Sequence, residues 1–228
     1  MSGLLNQHIP KSAKCAIVAL VFLFPHSPLP TPHSLSSLFA QNRADALLEY
    51  RNGNYERAVE ICKNEIIVSP NNMESHVVIC WSLISLGRYT EAMDYAQAAR
   101  NISRYDARII EAIGEICYYQ GRNSEALQYF QDYINMAPEG ARIEAVYYYL
   151  GEIYIRLGRF RHADIALTTA VHRVPGNAAW WTRLAYAREN AGDFYEAATA
   201  YETALSLNSQ LNDARRGLER VRQALAQR

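Results

Sequence analysis

Glu111 and Glu115 stand four residues apart, which on a helix is one turn apart on the same face. Paired carboxylates can do general acid–base work or hold a metal once a histidine or a nucleophile joins them. Nothing here supplies one. The six histidines are His8, His26, His33, His76, His162 and His172, the first three of which precede residue 40. His162 and His172 would be roughly 15 Å apart along one helix, too far to share an ion. HExxH, GxSxG and GxxxxGK[ST] do not occur in the chain. The two glutamates therefore read as a solvated or partner-facing charge pair. The chain reads as non-enzymatic, and no cofactor or metal is expected. Cys15, Cys62, Cys80 and Cys117 are irregularly spaced, with no CxxC pair. They read as small core residues rather than a metal site, and a Cys62–Cys80 bridge stays open.

The elements that must position any working residue are set by a repeat. Gly53, Gly87, Gly121, Gly158 and Gly192 are spaced 34, 34, 37 and 34 residues apart. Five residues after each comes Ala58, Ala92, Ala126, Ala163 or Ala197, and seven before each comes Ala46, Cys80, Gly114, Gly151 or Ala185. Tyr55, Tyr89, Phe160 and Phe194 follow two after the glycine, with Asn123 the exception. Pro70, Pro138 and Pro175 close three of the units. Glycine ends the first helix of a pair because it turns left-handed without penalty. The two small columns let the paired helices approach closely, and proline stops the second helix. Within the fourth unit Tyr147, Leu150, Gly151 and Tyr154 recur at helical spacing.

These residues resemble the tetratricopeptide repeat over residues 39 to about 211. The resemblance implies an all-α, right-handed superhelix of five antiparallel hairpins, at 39–72, 73–106, 107–140, 144–177 and 178–211. The stretch from Gly140 to Ile143 carries a three-residue insertion, residues 141–143. The first unit departs most, with Asn42, Asp45 and Glu65 where the family is apolar or small. The resemblance further implies a concave wall lined by the first helix of each pair. Its columns here are Tyr50, Val77, Trp81, Ile84, Glu111, Glu115, Tyr118, Tyr119, Tyr148, Glu152, Ile155 and Tyr186. Arg43, Arg108, Arg156 and Arg183 fall on or beside that wall. An aromatic surface with charges between is the composition of a protein-binding hot spot, and Trp81 and Tyr148 are the expected anchors. The chaperone-binding members of the family clamp a carboxylate with Lys and Asn; Arg43 and Leu47 in the first unit do not provide that clamp.

The rest of the chain frames this wall. Lys11 and Lys14 precede an apolar run, Cys15–Phe24, that Pro25 ends. Residues 1–24 thus read as a secretory signal, too short to span a bilayer. Residues 25–38, rich in proline and serine, read as a linker. Export to a periplasm or the exterior is expected, with membrane attachment if the segment is retained. Residues 212–228 place Ala214, Leu218, Val221 and Leu225 on one face with arginines opposite, the pattern of a capping helix. Lys plus Arg and Asp plus Glu each number 23, so the basic footprint of a nucleic-acid binder is missing. Sixteen tyrosines suit a surface that is wet alone and buried in a complex. The expected partner is a protein or peptide. A structural subunit of an oligomer, or a small-ligand-binding component, is the alternative.

Overall fold

The computed structural model describes residues 46–227. The expectations for residues 1–38, and for Asn42, Arg43 and Asp45, lie outside them. Eleven helices are found among the described residues. The first is α1 (46–51), followed by α2 (Tyr55–Val68), α3 (Met73–Ser85), α4 (Tyr89–Ile102), α5 (Ala107–Tyr119) and α6 (Asn123–Met136). Then come α7 (Ile143–Arg156), α8 (Phe160–Arg173), α9 (Ala178–Ala191), α10 (Phe194–Leu207) and α11 (Asn212–Ala226).

The punctuation of the sequence is the punctuation of the fold. All five repeat glycines have positive φ, between 68° and 87°, and each sits at the bend inside a hairpin. Nothing crowds the missing side chain of Gly53, Gly121, Gly158 or Gly192, so the backbone angle alone calls for glycine there. Pro70, Pro138 and Pro175 each stand two residues beyond the end of α2, α6 or α8. Asp106 and Asn177 cap α5 and α9 by accepting from first-turn N–H groups.

Within each hairpin the small columns do the work expected of them. Ala58, Ala92, Ala126, Ala163 and Ala197 have no exposed surface. Cys80 Sγ reaches the carbonyl of Ala92 at 3.6 Å, so the two columns meet in that hairpin. In the next two hairpins the close approach lies one turn further on. A Cβ on Gly114 would fall 2.7 Å from Phe130, and one on Gly151 would fall 2.4 Å from Leu167. The large residue of one helix thus fills the space its partner leaves, which is how interiors reach close packing.

From α5 onward, each first helix packs against both helices of the hairpin before it, as α11 does at the end. Each of α3, α5 and α7 packs on the next first helix, and α9 packs on α11, whereas the backbones of successive helices in the set α2, α4, α6, α8 and α10 stay apart and long side chains bridge between them, as Lys63 reaches Glu91 at 2.8 Å and Arg100 reaches Tyr129 at 3.3 Å. One layer is therefore compact and the other splayed. The stack curves with α3, α5, α7 and α9 on its inner side. Helix α11 buries Ala214, Gly217, Leu218 and Val221 on α10 and α9. Its apolar face covers the end of the solenoid, as a capping repeat must.

Candidate partner-binding surface

The inner layer carries a run of rings. Tyr50 lies 5.7 Å from Trp81, centroid to centroid. Tyr89 and Tyr119 stack at 5.0 Å and 10°. Tyr118 meets Tyr149 at 4.7 Å. Tyr148 stacks on Trp180 at 5.0 Å and 11°, and Tyr186 meets Phe160 edge-on. Tyr119 is the most open, at 45% exposure. Tyr50, Trp81, Tyr148, Ile155, Arg183 and Tyr186 are half-buried, as befits side chains that both pack and face outward. Trp81 Nε1 has no acceptor among the described residues.

Six of the expected wall residues are corrected by their burial. Val77 is 1% exposed and Ile84 is 6% exposed; both belong to the core. Successive first helices pack directly on one another, so the column that should face a partner at α3 faces the neighbouring helix instead. Glu111, with no exposed surface, and the buried Glu115, Glu152 and Tyr118 form the framework beneath the rings.

Glu111 and Glu115 are not the solvated pair that their spacing implies. Arg142 donates from Nε to Glu111 Oε1 at 3.0 Å and from Nη2 to Glu115 Oε2 at 2.7 Å. Tyr149 donates its hydroxyl to Glu115 Oε1 at 2.6 Å, and the Tyr119 hydroxyl lies 3.4 Å from that of Tyr149. A polar chain thus runs from the open surface at Tyr119 down to Glu111. Burial pushes the Glu111 carboxyl up to about 7, with Arg142 pulling down and Glu115 pushing up. Burial and the Glu115 carboxylate together hold the Tyr149 phenol far above its ordinary range.

The same device recurs along the wall. Arg183 clamps Glu152 through two bonds of 2.5 and 3.0 Å. Arg220 clamps Glu189 at 2.7 and 2.9 Å. Arg108 is held by Asp106 and Glu74. Arg156 lies 3.9 Å above the Tyr118 ring and donates to the Tyr118 carbonyl. Three of these pairs, Glu111–Arg142, Glu152–Arg183 and Glu189–Arg220, share a spacing of 31 residues. That recurrence was readable in the sequence and marks Arg142, which the repeat columns pass over because it lies in the insertion. Tyr149 and Trp180 were also passed over. They stand beside the chosen columns and turn inward through their ring contacts.

Elsewhere the surface has shallower features. One hollow of about 470 Å³ is bounded by Val174, Asn177, Ala179 and Leu211. Another of about 420 Å³ is bounded by Glu49, Tyr55 and Leu86. Cys62, Cys80 and Cys117 are buried free thiols, so the open question of a Cys62–Cys80 bridge is answered by unpaired cysteines.

Two profiles described as tetratricopeptide repeat match residues 36–150 and 148–212. The chain belongs to the tetratricopeptide repeat family. It is 25% identical over 140 residues to the BBSome complex member BBS4 homolog of Drosophila melanogaster. That match takes in 58% of this chain but only 29% of the fly protein. Among solved structures it resembles PilW, described as a widely conserved type IV pilus biogenesis factor. The TM-score is 0.70 at 19% identity, over 82% of this chain and 86% of that one. Pseudomonas aeruginosa pilF gives 0.64 at 15% identity, over 82% and 90%. MamA from Desulfovibrio magneticus RS-1 gives 0.63 at 18% identity, over 76% and 96%. At these identities the likeness is one of fold.

Proposed function

We propose that this chain is a non-enzymatic scaffold of five tetratricopeptide hairpins that holds a protein or peptide partner against its inner wall. One observation carries the reading: the rings of Trp81, Tyr119, Tyr148 and Trp180 line the inner layer, while the charges beneath them are paired within the chain. A preformed curved surface of this kind limits the ordering cost of association. The reading includes export, supported by Lys11, Lys14 and the apolar run Cys15–Phe24. The pilus biogenesis factor among its structural relatives supports an envelope setting.

The test is a Trp81→Ala, Tyr148→Ala double variant expressed in the native cell. The wild-type chain should migrate with its partner on sizing chromatography. The double variant should run free while its far-ultraviolet circular dichroism stays helical. A folded double variant that keeps its complex contradicts the reading.

Ile165 and Tyr195, on α8 and α10, are 70% and 73% exposed. They favour a second reading, a structural subunit that associates through its outer face. Light scattering separates the two, since a self-associated mass lost on Ile165→Asp would support the subunit.

A further inference from the structure

The hairpins are not joined equally. Among the chain-adjacent pairs from α2 to α11, α6 and α7 approach each other least, and that junction is where the insertion 141–143 breaks the period. Apolar packing continues through it, since Ile143, Val146 and Leu150 are buried. Much of what ties the third hairpin to the fourth is nevertheless polar. Arg142 reaches Glu111 and Glu115 of α5, its backbone N–H donates to the Tyr133 hydroxyl at 3.2 Å, and the Tyr149 hydroxyl donates to Glu115. Arg156 adds a bond of 3.1 Å to the Tyr118 carbonyl. The insertion is seated closely, because a Cβ on Gly140 would collide with the Tyr133 hydroxyl.

We infer that the junction of the third and fourth hairpins is a hinge, latched by Arg142 across Glu111 and Glu115, and that gain or loss of a proton at this pair closes or opens it. Charge gives the direction. With both carboxylates ionised, two negative charges face one positive charge, and Glu111 Oε2 is buried without a partner among the described residues. The other titratable groups around the cluster are Tyr133 of α6, Tyr149 of α7 and Tyr50 of α1, with Glu144 of α7 acting on Tyr133. None of these is a second cation. Swinging α7 away from α5 admits water to the stranded oxygen, which relieves the cost of an incompletely paired buried charge. One proton on Glu111 leaves one anion facing one cation, and the latch closes. Burial holds the Glu111 carboxyl up at about 7, so the open form gains above neutral pH. Tyr118 and Tyr119 stand on α5 while Tyr148 and Tyr149 stand on α7, so opening also changes the spacing of the rings along the inner wall.

Pulsed electron spin resonance on the full chain tests this. Nitroxide labels on Asp94→Cys of α4 and Thr199→Cys of α10 span the junction. A control pair on Asp94→Cys and Gln128→Cys of α6 stays on one side of it, and all three positions are exposed. Cys62, Cys80 and Cys117 are buried and should remain unlabelled. A turn of about 15° at the junction, carried over two hairpins of about 10 Å each, moves residue 199 by about 5 Å. The 94–199 distance should shift by roughly that amount between about pH 5 and about pH 9, while the 94–128 distance holds. Its midpoint should lie near the Glu111 carboxyl, at about 7. Glu111→Gln, which cannot ionise, should keep the distance at its low-pH value throughout. An unchanged 94–199 distance, an equal shift in the 94–128 pair, or a shift that survives in Glu111→Gln would overturn the inference.

Discussion

Arg142 lies between Glu111 and Glu115 and bonds to both, at 3.0 and 2.7 Å, across 31 and 27 residues of chain. Two carboxylates share one cation at the floor of the inner wall, and Glu111 Oε2 has no partner among the described residues. A proton on Glu111 would relieve that arrangement, consistent with a carboxyl pushed up to about 7.

Stability should therefore depend on pH in a defined direction. The folded Glu111 carboxyl, near 7, binds its proton more tightly than the ordinary value of 4.5. As pH rises through this window the unfolded chain loses the proton first, so stability falls and then levels off above about 7. The slope for one proton is at most about 1.4 kcal/mol per pH unit. Urea midpoints measured from pH 5 to 8 should show this decline. Glu111→Gln, which keeps a donor and cannot ionise, should flatten it.

Removing the cation should be costly. Arg142→Ala strands two carboxylates, one of them fully buried. Breaking a buried pair costs about 3–5 kcal/mol, and the partial exposure of Arg142 places this case toward the lower end. Adding Glu111→Gln should recover part of the loss, because only one carboxylate then lacks its partner. A double-mutant cycle by urea denaturation reads that coupling.

The hairpin crossings predict a ranking among glycines. Gly151→Ala places a methyl 2.4 Å from Cγ of Leu167, an atom near the backbone with little room to give. Overpacking of this kind costs about 1–3 kcal/mol. Leu167→Ala alone should also destabilise, by opening a cavity, yet the pair should be more stable than the sum of the two losses. Thermal melts of the three variants check this non-additivity.

Burial pushes the Cys62 and Cys80 thiols up to about 12. At neutral pH they should resist alkylation in the folded chain and react only on unfolding. Peptide-resolved mass spectrometry after iodoacetamide treatment, with and without denaturant, measures this.

Much of the fold was legible because its constraints are local and repeat. A glycine at positive φ, an alanine with no room for more, and a proline beyond a helix end each leave a mark at a fixed interval. Gly53 through Gly192 and Ala58 through Ala197 therefore announce the hairpins. The wall was legible only in part. A column says which way a residue points on its own helix, and curvature decides whether a neighbouring helix stands in front of it. Val77 and Glu111 point inward and are covered. Tyr149 and Trp180 sit off the columns; Trp180 reaches the wall by stacking on Tyr148, and Tyr149 through its hydroxyl, 3.4 Å from that of Tyr119. Arg142 belongs to the insertion, where the period breaks, so only its distance from Glu111 gave it away.

The most direct test of the scaffold account is site-specific photo-crosslinking in the native cell. One probe replaces Tyr148 on the inner wall, and a control replaces Arg161 on the outer helix α8. The account predicts a discrete adduct with another protein from position 148 and none from 161. Adducts from 161 alone, or only with a second copy of the chain, would contradict it and point to a subunit that works through its outer face.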